Sequence, residues 1–311
     1  MFGVSAVIPN YNGVELLREN LPSVLASLER TGGDFEILVV DDCSTDESLA
    51  FLRETFPAVK VLINSRNRGF SATCNRGFAQ ARFPVVLCIN TDVRLEPGAV
   101  TPLLGHFADP EVFAVTPNVL AEREGANQGV MTSSTRRGFI KGHFWPLGRQ
   151  STVRENLYAV GACVAYRTSM LRELGGYAEM YSPYLFEDVD LSYRAWKLGW
   201  SSLHEPEATV HHASSGTLNK VKKRNRRIIY FRNRFLFHWS NLTDPPLLLA
   251  NLGYTAFRLA VSWLWMDTAF YVSFWGALQR LGSVRAARRE LKSRMRLCDR
   301  EILGRTGADQ G

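Results

Sequence analysis

Apolar positions over the first ninety residues follow two patterns that take turns along the chain. Short continuous runs, Val4-Ser-Ala-Val-Ile8, Phe35-Glu-Ile-Leu-Val-Val40, Val59 to Ile63 and Val85 to Ile89, read as buried strands. Between them, Leu16, Leu17, Leu21, Val24, Leu25 and Leu28 recur at helical spacing before Gly32-Gly33, and helices are expected again over Leu49 to Phe56 and Asn75 to Ala81. Turn-rich Pro9-Asn-Tyr-Asn-Gly13 closes the first strand, and Ser44-Thr45-Asp46 offers caps to the second helix, a structural role assigned to Asp46. This alternation predicts an α/β fold, a mostly parallel sheet flanked by helices, with ligands at the carboxyl ends of its strands.

Further along, residues 121 to 157 show little periodicity and many Gly, Arg and aromatic residues. They are expected to form a long irregular loop with a functional role, with Phe144 and Trp145 free to stack on a ligand or touch lipid. Tyr184 to Trp200 then reads as a helix, with Glu187, Asp188 and Asp190 in its first turn and Lys197 and Gly199 at its end. Val189, Tyr193 and Trp196 form its buried stripe, Asp190 can pair with Arg194, and Asp188 lies on neither face. The helix dipole is expected to keep such a carboxylate ionised and able to accept a proton.

From Pro246 the pattern turns apolar, and Leu259 to Leu278 is nearly as long as a membrane span of ~20 residues. Asp267 near its middle would cost about 2.5 to 3.5 kcal/mol in a bilayer, which favours an interfacial or re-entrant helix pair. Trp263, Trp265, Tyr271 and Trp275 suit a headgroup boundary, and Arg285, Arg288, Arg289, Lys292, Arg294 and Arg296 offer an anchor on anionic lipid. An ordinary packing helix in a homo-oligomer interface is the competing expectation.

Composition adds limits. With 311 residues, 46% apolar and 22% charged, the chain can bury one large core with an appendage, here divided as 1–240 and 241–311. Five scattered cysteines (Cys43, Cys74, Cys88, Cys163, Cys298) without metal spacing point to free thiols in a reducing compartment. Met1 leads straight into a strand pattern without a basic leader, so a cytoplasmic location is expected. The net charge of +7 is local: Lys220 to Arg234 hold eight basic residues and no acid, and without them 29 basic residues face 30 acidic. Such a segment suits a diphosphate, an anionic bilayer or a nucleic acid.

Two strands end in acid, Asp41-Asp42 and Asn90-Thr91-Asp92, positions suited to ribose hydroxyls or a hard divalent cation. No glycine-rich phosphate motif follows the first strand, which disfavours nicotinamide and ATP chemistry. The order and spacing of Val7-Ile-Pro-Asn-Tyr-Asn12, Val39 to Asp46, Asn67-Arg-Gly-Phe70, Asn75-Arg-Gly77, Asn90-Thr-Asp92, Gly161-Ala-Cys163, Gly175-Gly176, Phe186-Glu-Asp-Val-Asp190 and His211-His212 resemble the family 2 inverting glycosyltransferases. The resemblance covers roughly residues 4 to 240. It is strongest to rhamnosyltransferase-like members that build bacterial surface polysaccharides from dTDP- or UDP-sugars.

The resemblance implies the GT-A nucleotide-diphospho-sugar transferase fold with a C-terminal helical, membrane-associated extension. Pro9, Asn12 and Asp41 would surround the nucleoside, with Asp42 close by, Arg66, Asn67 and Gly69 in its wall, and Asn90 and Thr91 beside it. Asn90-Thr91-Asp92 stands where the family has its DXD signature, so Asp92 is the one carboxylate there to hold Mg²⁺ or Mn²⁺. His212, on the inward side with Ala208 and Val210, is its partner of choice over His211. Asp188, beside Glu187, would be the base, and Arg224, Arg226, Arg227 or Arg232 would meet the departing diphosphate or the membrane.

The function expected is transfer of a sugar from a nucleoside diphosphate to a polyprenyl-diphosphate-linked or other glycan acceptor at the cytoplasmic face of the membrane. An inactive sugar-nucleotide-binding protein and a nucleic-acid-binding protein are the competing classes. The second leaves the strand-end acids unexplained, so no nucleic acid is expected as partner.

Overall fold

The computed structural model describes residues 2–149, 152–213 and 222–307. Strands β1 (Val4–Asn10), β2 (Phe35–Asp41), β3 (Lys60–Ile63) and β4 (Val85–Ile89) lie parallel in the order β3-β2-β1-β4. Because successive residues point to opposite faces, Ala6 and Ile8 meet α1 (Val14–Glu29) and α2 (Ser48–Thr55), while Val7 meets α3 (Phe70–Gln80) on the other side. A Cβ on Gly77 of α3 would come within 2.3 Å of Val7, so glycine lets this helix approach the sheet closely. Asp46 does more than cap α2: its carboxylate accepts from Ser48 N and also from Val14 N, the first residue of α1.

The second half of the sheet is mixed. β4 pairs antiparallel with β10 (Cys163–Arg167), which pairs antiparallel with β6 (Val112–Ala121). β6 is parallel to β11 (Ser201–His212), and β5 (Val93–Leu95) closes the edge antiparallel to β11. Parallel order ends at β4 because the chain reaches β10 through strands rather than through a single crossover helix.

Those strands replace the irregular loop expected over 121 to 157. β7 (Ala126–Arg136) and β8 (Phe139–Pro146) form an antiparallel hairpin, and β9 (Arg154–Glu155) pairs with β11. The alternation is hidden because β7 buries polar residues, among them Asn127, Gln128, Thr132 and Ser133. Hydrogen bonds take the place of apolar contact there: Asn127 Oδ1 accepts from Val119 N and Gly129 N. Trp145 is buried beneath the guanidinium groups of Arg149 and Arg154, so it offers no platform for a sugar; Phe144 is exposed.

Past α4 (Val100–Gly105) and α5 (Thr168–Glu173) comes α6 (Glu187–Lys197), in which Asp190 pairs with Arg194 at 2.7 Å. Its last residue, Lys197, is not a solvent-facing stop signal. It is fully buried, 2.6 Å from Asp299, which also accepts from Tyr193 OH and from the backbone of Thr243 and Asp244. This ion pair ties α6 to the C-terminal helices α7 (Lys223–Asn241), α8 (Pro245–Val261), α9 (Thr268–Leu278), α10 (Leu281–Arg294) and α11 (Asp299–Thr306). Tyr193 and Trp196 share a core with Phe235, Phe270 and Ile302.

The apolar run 259–278 is broken. α8 ends in a turn over Ser262–Trp265, Met266 adopts φ 49°, and Asp267 caps α9 by accepting from Phe270 N. Asp267 also pairs with Arg227 at 2.8 Å and Arg258 at 3.1 Å, which answers its charge within the fold. The one segment long and apolar enough to cross a membrane among the described residues is therefore Pro245–Trp265, earlier than the sequence pattern indicates. Leu249, Leu252, Phe257, Trp263, Leu264, Trp265, Met266 and Trp275 are exposed. Of the C-terminal basic residues, Arg288 holds the carbonyls of Trp239 and Leu242 and Arg294 pairs with Glu173. Arg285, Arg289, Lys292 and Arg296 are exposed.

Candidate active site

A cavity of about 960 Å³ opens at the carboxyl ends of β1, β2 and β4 and extends to β8, α6 and α7. That is the upper range for a ligand site, room for a nucleotide sugar and part of an acceptor. Pro9, Asn12, Asp42, Asn67, Gly69, Asn90, Thr91, Asp92, Glu187, Asp188, His212 and Arg226 all contribute to its wall.

At the end of β2 the two acids divide their work differently from expectation. Asp41 is fully buried and outside the wall; it accepts from Asn10 Nδ2 and Ser44 N, both at 2.9 Å, and so holds the turns after β1 and β2 together. Asp42 faces the cavity and accepts from Asn64 Nδ2 (2.7 Å), Arg68 N (2.8 Å) and Gly69 N (2.9 Å). Gly69 sits at φ +83°, a conformation that suits glycine and aims its N–H at Asp42. Arg66 is exposed and stands outside the wall, because this turn points Asn67 and Gly69 inward instead. Asn12, at φ 49°, accepts from Thr45 N through its side chain. Asn90 Oδ1 is buried at the cavity without a hydrogen-bond partner among the described residues, an acceptor left for a ligand.

The β5–β11 edge brings Asp92 and His212 together, with His212 Nε2 3.4 Å from Asp92 Oδ1. His211 points the other way, to Glu96 and Glu122. Gln128, from the hairpin, sets the imidazole: its amide N–H₂ donates to Glu124, so its Oε1 faces His212 Nδ1 at 2.9 Å and accepts the ring proton there. With the proton on Nδ1, Nε2 is the ring nitrogen free to ligate a cation, and it stands beside the Asp92 carboxylate. Two acceptors converging in this way suit a hard divalent cation, and a histidine oriented by a second hydrogen bond is the usual form of such a ligand. Among the described residues no cluster of three or more His, Cys, Asp or Glu is placed to hold a metal, so phosphate oxygens and water would complete the coordination. Glu124 and Gln128 have no sequence signal; they lie in the segment read as a loop.

At the start of α6, Asp188 Oδ2 accepts from Gly161 N and Oδ1 from its neighbour Val189 N, at 2.9 and 2.8 Å. Burial raises the Asp188 carboxyl, and these backbone N–H groups offset only part of that. Burial, and next the Asp188 charge, push Glu187 up to about 8. For Glu187 desolvation thus outweighs the helix dipole, and for Asp188 it acts against the dipole, raising the carboxyl above its ordinary value. The loop before them has Leu185 and Phe186 at φ 73° and 79°, strained for such residues, and Asn233 of α7 holds it by donating to the carbonyls of Tyr181, Tyr184 and Leu185. Asn233, buried in an otherwise basic helix, carries no pattern by which sequence reading could single it out.

The basic segment separates by helix face. Lys220 lies outside the described residues. Arg224 reaches Thr268, Arg227 pairs with Asp267, and Arg232 donates to the carbonyls of Tyr181 and Ser182. None of these three lines the cavity, so they do not meet a diphosphate there; only Arg226 of the four named in the sequence reading does, joined by Arg234.

A profile described as Glycosyl transferase family 2 matches residues 5–175. The N-acetylglucosaminyl-diphospho-decaprenol L-rhamnosyltransferase of Mycobacterium tuberculosis is 31% identical over 227 residues, which are 64% of this chain and 73% of the relative. A pre-mycofactocin glycosyltransferase of the same organism is 32% identical over 213 residues, 67% of this chain and 42% of the relative. Among solved structures, the mannosyltransferase PcManGT from Pyrobaculum calidifontis, in complex with GDP-Man and Mn²⁺, aligns with a TM-score of 0.56 over 94% of this chain and 84% of that one. At 16% identity this likeness concerns the fold, the mixed sheet and flanking helices of the GT-A type. The motifs, the site at the strand ends and these matches lead to one conclusion: the chain belongs to glycosyl transferase family 2 and is a glycosyltransferase of GT-A fold.

Proposed function

We propose that the protein is an inverting, metal-dependent transferase that moves a sugar, with rhamnose the first to test, from a dTDP- or UDP-sugar to a lipid-linked glycan in cell-surface polysaccharide synthesis. The observation that carries this reading is that Asp188 and the Asp92–His212 pair face one cavity. The neighbouring mannosyltransferase was solved with a nucleotide sugar and Mn²⁺, and the rhamnosyltransferase relative is named for a decaprenol-linked acceptor. Both facts support extending donor, metal and acceptor class to this chain.

In this reading the nucleoside lies against Pro9, Asn12, Asp42 and Gly69, and Asn90 and Thr91 meet polar groups of the donor. Asp188, held by Gly161 N–H, accepts the proton of the acceptor hydroxyl while that oxygen bonds to the anomeric carbon. The bond from that carbon to the diphosphate breaks on the opposite side, and its electron pair leaves with the diphosphate, which inverts the configuration. Burial makes Asp188 a stronger base than an ordinary surface aspartate, and Glu187, lifted to about 8, is mostly protonated at neutral pH and so adds little negative charge beside the base. Asp92 and His212 would hold Mg²⁺ or Mn²⁺, whose positive charge stabilises the departing diphosphate.

The catalytic part is 1–240, and residues 241–311 form the membrane-associated extension at the cytoplasmic face. Exposed Trp263, Leu264, Trp265 and Met266 at the corner between α8 and α9, with exposed Arg285, Arg289 and Lys292 nearby in sequence, support that location.

Slow donor hydrolysis tests the proposal without knowledge of the acceptor. The purified protein should cleave one member of a panel of dTDP-, UDP- and GDP-sugars when Mn²⁺ or Mg²⁺ is present, and Asp188→Asn should bind that donor yet turn over about 10² to 10⁴ times slower. Absence of both binding and hydrolysis across the panel would overturn the reading. An undiminished rate in Asp188→Asn would remove the base assignment.

A further inference from the structure

The cavity continues past Asp188, and α7 turns a single stripe into it: Arg226, Tyr230, Arg234 and Phe237, one helical turn apart. β8 adds Lys141. His238 brings the two elements together, accepting from Ile140 N at 2.9 Å and, through its other nitrogen, donating to the carbonyl of Arg234 at 2.7 Å. Lys141 and Arg234 are thereby brought near one another, and Arg226 lines the same cavity two turns earlier on α7.

Their partners set them apart from the other basic residues of α7. Arg224, Arg227 and Arg232, which face away, each have a hydrogen-bond or ion-pair partner. Arg234 is half-buried with its guanidinium 4.0 Å above the Phe139 ring, and among the described residues no carboxylate or carbonyl accepts from it. The side chains of Arg226 and Lys141 likewise have no acceptor among the described residues. Positive charge left uncompensated beside apolar side chains is costly until an anion arrives. Burial also lowers Arg234, in keeping with an unanswered charge.

The surroundings narrow the anion. Tyr158 shares this wall with Asp188 and Tyr230; burial first, then Asp188 and Tyr230, raise its hydroxyl, so the cationic stripe adjoins the base. Apolar Leu157, Leu185 and Phe186 line the same region. Phe139, beneath Arg234, also contacts Tyr254 of α8 at 6.0 Å between ring centres, and α8 carries the exposed Leu249, Leu252 and Phe257.

The geometry points to an acceptor subsite in which Lys141, Arg226 and Arg234 bind the diphosphate of a prenyl-diphosphate-linked sugar, its sugar directed to Asp188 and its prenyl chain lying along the apolar wall toward α8. This rests on the reading of a lipid-linked acceptor. Guanidinium and ammonium groups supply the charge-assisted hydrogen bonds such a diphosphate requires.

Calorimetry on the full chain in detergent tests the subsite with farnesyl diphosphate, inorganic diphosphate, farnesol and, with Mn²⁺, UDP and dTDP. Farnesyl diphosphate should bind the wild type more tightly than inorganic diphosphate or farnesol. In Arg226→Gln/Arg234→Gln its affinity should fall at least tenfold more than that of the nucleoside diphosphate, and Arg234→Lys should restore part of it. Lys141→Gln/Arg226→Gln, which leaves the Phe139 contact intact, repeats the test if the first variant melts early. No binding of farnesyl diphosphate to wild type, or a loss falling equally on UDP or dTDP, would overturn the subsite. So would an equal loss of binding to anionic phospholipid vesicles, since the cations would then serve the bilayer surface. Failure of donor hydrolysis in the wild type would instead refute the transferase reading, while the farnesyl diphosphate comparison stays readable.

Discussion

Replacing Glu187 by glutamine should stabilise the protein at alkaline pH and change little at acid pH. Glu187 is 7% exposed, its Oε2 has no hydrogen-bond partner among the described residues, and Asp188 follows it directly. Burial first, and the Asp188 charge second, raise its carboxyl from 4.5 to about 8. Between those values the folded protein holds a proton that the unfolded chain has released, so stability falls as pH rises. The favourable contribution is complete below 4.5 and is lost as pH passes through 8. At 1.36 kcal/mol per unit, the gap corresponds to an upper bound of roughly 5 kcal/mol, which local relaxation reduces. In a chain of this size each kcal/mol moves Tm by about 2 °C, so wild type should lose several degrees relative to Glu187→Gln between pH 5 and pH 9. Thermal melts of both proteins at pH 5, 7 and 9 measure this, and other titrating groups largely cancel in the difference. Parallel Tm curves, or a variant less stable than wild type at pH 9, would refute the reasoning, because Glu187 would then be an ionised and well-partnered carboxylate.

Other perturbations reach separate parts of the structure. Gln128→Leu removes the acceptor that orients His212 Nδ1, and Mn²⁺ affinity measured by electron paramagnetic resonance should weaken about 10- to 100-fold; unchanged affinity would separate His212 from the metal. Asp299→Asn leaves Lys197 buried and charged without a counter-ion, and chemical denaturation should record a loss of about 3 to 5 kcal/mol. A loss under 1 kcal/mol would mean that water reaches this pair. Trp263→Ser/Trp265→Ser should release the protein from anionic vesicles in a sedimentation assay while leaving its melting temperature within a degree or two, since both side chains are exposed. Undiminished sedimentation would move the membrane contact elsewhere.

The sheet's first half was legible because β1, β2 and β4 are mostly buried on both faces and α1 shows its period without interruption, whereas α3 begins at Phe70, five residues before its expected start. Val4–Asn10, Phe35–Asp41 and Val85–Ile89 appear within a residue or two of where the apolar runs put them. The acids at the strand ends and at the start of α6 were equally visible, since motif order survives in sequence whatever the tertiary arrangement. The β7–β8 hairpin was not legible, because it buries Asn127, Gln128, Thr132 and Ser133, and partners far along the chain, His212 for Gln128 and Thr306 for Ser133, satisfy two of them. Lys197 misled for the same reason: its counter-ion, Asp299, is 102 positions away.

What the sequence determined by itself was local: where the chain runs extended or helical, which carboxylates stand at element ends, and where basic charge accumulates. Only the tertiary structure decided which way each of those groups faces. It turned Asp41 into a brace and Asp42 toward the cavity, set Arg226 and Arg234 inward while Arg224, Arg227 and Arg232 took partners outside, and broke the 259–278 run at Asp267. Direction and protonation depend on burial and on partners far away in the chain, because desolvation and hydrogen bonding act through space, and periodicity records only neighbours along the sequence.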